Sequence, residues 1–111
     1  MVKETALMNI DVELTRAKKA LEEGNIGMVR VCARRACGIS ISFWLQHNLH
    51  SGYGESAMNQ LKSIQNDESV PAEIKDAAMR LSTHVSDKTT LPISDNPVGD
   101  AELIIKHFLE H

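Results

Sequence analysis

A chain of 111 residues fits a single domain, 1–111, and its formal charge of −3 gives no overall pull toward nucleic acid or an anionic membrane. At 42% hydrophobic and 24% charged residues it has the balance of an ordinary folded domain. No stretch approaches the about 20 apolar residues of a membrane span, and the opening MVKETALMNIDVEL, acidic and without a continuous apolar run, does not read as a signal peptide.

Five helices are legible and no strand. The first runs from about Thr5 to Glu23. Leu7, Ile10, Leu14, Ala17 and Leu21 recur at three- and four-residue steps and predict its core face. Lys18, Lys19, Glu22 and Glu23 take the other side. Gly24 supplies a stop, and Asn25 can cap the next helix.

The second, about Ile26 to His47, is the longest. Its charges are Arg30, Arg34 and Arg35, all in the first half, and apolar side chains spread around the rest. A helix apolar nearly all round is either the centre of a monomer or part of a dimer interface. Cys32 and Cys37 stand five apart on it, roughly 140° around the axis, so they do not face each other. They read as small buried residues of a protein in the reducing cytoplasm, not as a disulfide or zinc pair.

A loop from Asn48 to Glu55 carries Gly52, Tyr53 and Gly54. The third helix is short, about Ser56 to Ile64, with Met58 and Leu61 inward. The fourth begins with Pro71 in its first turn and continues through AEIKDAAMRLSTHV, with Ile74, Ala77, Ala78, Leu81 and Val85 as core. An irregular segment from Ser86 to Gly99 holds Pro92 and Pro97. Asp100 is the expected cap of the last helix, about Ala101 to Leu109, whose apolar face is Ala101, Ile104, Ile105 and Phe108. The pattern predicts an all-α, antiparallel, up-and-down bundle of four or five helices.

The chemistry concentrates on helix four. Asp76, Arg80 and His84 succeed one another at four-residue steps along an edge of that helix. A guanidinium is a rigid fork of donors for a phosphate, and a half-sheltered imidazole can move a proton near neutral pH. The plainer reading is an Asp76–Arg80 surface pair and a histidine favoured by the helix dipole. Arg30 and Arg34 share an edge of helix two and could neutralise RNA phosphates. Their plainer reading is pairing with Glu13, Glu22, Glu23 or other acids. His107 and His111 have helical ligand spacing but no evident third ligand, so no metal and no cofactor is implied.

The layout resembles the HEPN family, small helical bundles named for nucleotide binding in higher eukaryotes and prokaryotes. The resemblance rests on AKKALEEGN running into a long helix bearing ARRA, on Arg80 and His84, and on PISDNPVGDAELIIKHF, and spans about Asp11 to Leu109. It implies RNA or nucleotide binding at an Arg80/His84 groove and a metal-independent endoribonuclease in which Arg80 holds the scissile phosphate and His84 handles a proton. It also implies a homodimer. The family's arginine and histidine usually have four to six residues between them, and here there are three, which bears on activity more than on fold. The alternative the resemblance allows is a non-catalytic helical module that pairs with a nucleotidyltransferase-type or other partner protein.

Overall fold

The helices begin and end where the chain places its caps, and a computed structural model describes them over residues 2–48, 53–83 and 96–110. Among these residues the order is α1 (Lys3–Glu22), α2 (Ile26–His47), α3 (Ala57–Gln65), α4 (Ala72–Ser82) and α5 (Pro97–Leu109), with no strand. Gly24 takes a φ of 74°. The amide of Asn25 then reaches the Ala20 carbonyl at 2.8 Å and that of Gly24 the Leu21 carbonyl at 3.1 Å. This pair of bonds closes α1, and it needs a residue that tolerates positive φ. Asn25 turns the chain straight into α2, its side chain accepting from the Met28 amide at 3.1 Å. Ser56 caps α3 in the same way, accepting from the Asn59 amide at 3.1 Å.

Two ends differ from the sequence expectation. The cap of α5 is Asn96, which accepts from the Gly99 amide at 3.0 Å, with Pro97 in the first turn. Asp100 is therefore inside the helix and not its cap. At α4 the helix stops at Ser82, and Thr83 is already extended (φ −74°, ψ 131°). The Thr83 hydroxyl donates back to the Met79 carbonyl at 2.9 Å, a local bond that competes with helix continuation. The expected core residue Val85 lies outside the described residues.

The helix α2 is the centre: it packs against α1, α3 and α5, and more thinly against α4, while α3 pairs with α4 and α4 with α5. Its fully buried residues include Val29, Ala33, Ala36, Cys37 and Ile41. Of these, Ala33, Ala36, Cys37 and Ile41 meet Leu61 and Ile64 of α3, Leu81 of α4, and Ile104 and Phe108 of α5 in one core. Trp44 pins the far end, with ring centroids 5.1 Å from Phe108 and 5.8 Å from Tyr53.

The face of α1 is rotated from the expected one. Ala6, Ile10, Glu13, Ala17 and Ala20 are its buried residues, whereas Leu7 and Leu21 remain 42% and 53% exposed. The three alanines have no bulk beyond Cβ, so α1 can lie close on α2 along that line; the leucines are displaced to the edge. Both cysteines are free and buried. Burial pushes the Cys32 and Cys37 thiols up, so thiolate is scarce. Iodoacetamide is expected to leave both unlabelled in the folded protein and to label both after unfolding. Fast native labelling seen by mass spectrometry would contradict this packing.

Candidate functional site at the end of helix four

The last carbonyls of any α-helix lack intrahelical donors. At the end of α4 those carbonyls are met by arginines from α2. Arg30 is 2% exposed. Its Nη2 donates to the Thr83 carbonyl and, at 3.4 Å each, to the carbonyls of Arg80 and Leu81. Arg34 donates Nε to the Leu81 carbonyl at 2.7 Å. Cationic side chains at a helix C-terminus also meet the negative end of its dipole.

Arg80 comes to the same place from α4 itself. Its Nη2 and Nε bond the two carboxylate oxygens of Asp100 at 2.8 and 3.1 Å. The fork is bidentate, and the side chains are 32% and 10% exposed. Asp100 also opposes the burial that otherwise lowers the Arg30 pKa. The Arg34 pKa is lowered by burial and then by the neighbouring Arg30 charge. Neither shift removes the charge from a guanidinium. Among the described residues, three guanidiniums thus gather around one helix end with one carboxylate between them.

The donors of this cluster are not all used. Arg30 Nε and Nη1 are buried with no hydrogen-bond partner among the described residues, and no acceptor among those residues pairs with the terminal nitrogens of Arg34. A buried donor left unpaired costs about 1–3 kcal/mol, so an anion carrying several acceptor oxygens matches what is missing.

The structure thus brings together Arg30, Arg34 and Arg80, which the sequence places on two separate helices. The plainer pairings of these arginines with Glu13, Glu22 or Glu23 do not occur among the described residues: Glu13 pairs with Arg16 at 3.0 Å, and Arg80 takes Asp100 in place of Asp76. Arg35 goes another way, lining a cleft with Arg16 and Lys19 between α1 and α2. His84 lies outside the described residues. Because Thr83 is extended, the helical spacing that sets His84 beside Arg80 no longer supports their juxtaposition. Asp100 is a site residue that the sequence does not single out; its only signal is an acid near the start of a helix, which is commonplace.

A second group is unexpected. Glu13 on α1 and Gln60 on α3 are 7% and 2% exposed, and Glu13 Oε2 and Gln60 Oε1 have no partner among the described residues. No group of three or more potential metal ligands occurs among the described residues, and no helix among them is long and apolar enough to cross a membrane. Compared with models of known families, with curated proteins and with solved structures, the chain matches none.

Proposed function

We propose that this helical bundle is a HEPN-like module that binds RNA or a nucleotide through phosphate at the end of α4. The observation that carries the reading is the convergence of Arg30, Arg34 and Arg80 on one helix end with unpaired donors left on Arg30. A phosphodiester oxygen accepts from such donors strongly, and local charge of this kind is what the net charge of −3 does not supply. A phosphate backbone is held by such charge without an aromatic platform or a groove-reading element. With few aromatic side chains, and Trp44 held between Tyr53 and Phe108, base stacking contributes little.

Arg34→Ala is expected to weaken binding of a fluorescent RNA oligonucleotide by about 3–10-fold and to lower the salt slope by about one. Anisotropy titrations at several salt concentrations read both. An unchanged affinity and slope would remove the reading. In the same proposal His84, which lies two positions beyond the end of α4 in sequence, handles the proton in a metal-independent cleavage. Cleavage of RNA in EDTA is expected to be lost in His84→Ala; identical behaviour of the two proteins leaves binding alone.

A second reading, a non-catalytic interaction module, is favoured by a different observation. Val2, Leu7, Met8, Val12, Leu21, Ile26 and Met28 are large apolar side chains between 42% and 68% exposed, and all fall in residues 2–28. Apolar exposure concentrated in this way marks protein contact. The partner is a second copy, giving a homodimer, or a nucleotidyltransferase-type protein. Light scattering at tens of micromolar decides the first: a monomer there removes the homodimer.

A further inference from the structure

We propose that the cleft between α1, α2 and the start of α3 binds a small organic cation whose head carries several N–H donors, of the amidinium or guanidinium class. The cleft has a volume of about 380 Å³, within the range of sites for small molecules. Glu13 of α1 and Gln60 of α3 both line it. Each is more than nine-tenths buried, and each has an enclosed acceptor oxygen, Glu13 Oε2 and Gln60 Oε1, with no donor among the described residues.

The neighbours of both side chains are engaged elsewhere. Glu13 Oε1 is occupied by Arg16 at 3.0 Å, and Arg35, which lines the same cleft, forms no ion pair with the free oxygen. Gln60 is held by a 3.1 Å bond from its Nε2 to the Ser42 hydroxyl oxygen. In this orientation of the amide Oε1 is the end without a partner among the described residues.

The rest of the lining selects the ligand. Gly38 and Ala57 bring α2 and α3 so close that a Cβ on Gly38 would stand 3.0 Å from that of Ala57. With Ile39 they give an apolar wall for a flat body. Two carboxylates, Glu13 and Glu55, and one cation, Arg35, line the cleft, so its charge favours a positive head. A planar fork of N–H groups fits a carboxylate better than a single ammonium does.

The probe is benzamidine, with neutral benzamide as its isostere. Titrated into the unmodified, nitrogen-15-labelled protein, benzamidine is expected to give saturable shifts centred on Glu13, Gly38 and Gln60. Benzamide should bind at least about tenfold more weakly, since the charge-assisted bonds are lost. Glu13→Gln, which keeps the shape, should bring benzamidine to the benzamide level with the helical circular dichroism retained. Shifts that never saturate, equal binding of the two probes, shifts scattered over other acidic residues, or an unaltered Glu13→Gln would each overturn the proposal. The two-probe comparison needs no variant to fold. Arg30, Arg34 and Arg80 are not in the lining of the cleft, so its failure says nothing about RNA, and RNA binding is expected to be unchanged by saturating benzamidine.

Discussion

Replacing Arg30 by alanine is expected to cost about 3–5 kcal/mol of stability, the range in which a buried polar network is lost together with its packing. Arg30 is among the largest fully buried side chains of the domain. Its guanidinium is the donor for three carbonyls at the end of α4. Alanine leaves those carbonyls in a protein interior without this donor and leaves a void where the side chain stood. Both penalties act on the same helix end, which also touches α5 through Arg80 and Asp100. For a domain near this size each kcal/mol moves the melting midpoint by about 4 °C or more. The midpoint should therefore fall by well over about 10 °C on that scale. Trp44, packed on Phe108 at the other end of α2, reports the global transition by fluorescence.

The lysine variant separates the two causes. Lysine keeps a charge and most of the stem, but it has one compact donor head in place of a fork. It is expected to recover part of the loss and no more. Methionine fills the void without donating, so it isolates the cost of the unpaired carbonyls. If alanine, lysine and methionine all melt within about 0.5 kcal/mol of the parent, within the scatter of ordinary surface changes, Arg30 is not a structural clasp.

How legible the fold is in the sequence depends on the kind of signal. Helix boundaries rest on local chemistry, and Gly24, Asn25 and Ser56 announce themselves because capping is a matter of residues three or four apart. The core of α4 and α5 is readable for the same reason, since Ile74, Ala77, Leu81, Ile104 and Phe108 recur with the helical period. The face of α1 is not, because leucines outrank alanines in apolarity while close packing favours the alanines. Periodicity does not report how near two axes come. The pattern also carries α4 past Ser82, where the extended Thr83 ends it. The local Thr83 bond to Met79 favours that end, and two arginines some 50 positions away in sequence meet the carbonyls it leaves. For the site, residue types are legible and partners are not. Arg30, Arg34 and Arg80 are legible as guanidiniums able to hold a phosphate, but their meeting at one point, and the Asp100 that joins them, belong to the tertiary fold.

The Asp100→Asn variant is expected to move stability and RNA affinity in opposite directions. The Asp100 carboxylate binds Arg80 through both oxygens, and it stands in the first turn of α5, where a negative charge meets the positive end of the dipole. Asparagine keeps the volume and one acceptor and removes the charge. Because Arg80 is about a third exposed, solvent screens the pair, and the loss should be about 1–2 kcal/mol. The same change removes the one carboxylate that the three guanidiniums have among the described residues. Affinity for an RNA oligonucleotide should then rise by about 3–10-fold at low salt, with a steeper salt dependence, because the local positive charge rises. Arg80→Ala provides the contrast, since it loses stability through the same pair but lowers affinity. A purely structural pair predicts another outcome: both variants melt lower and neither changes RNA binding at any salt. Anisotropy and thermal melts on the same samples distinguish the two, and equal affinities across parent, Asp100→Asn and Arg80→Ala would assign this helix end to architecture alone.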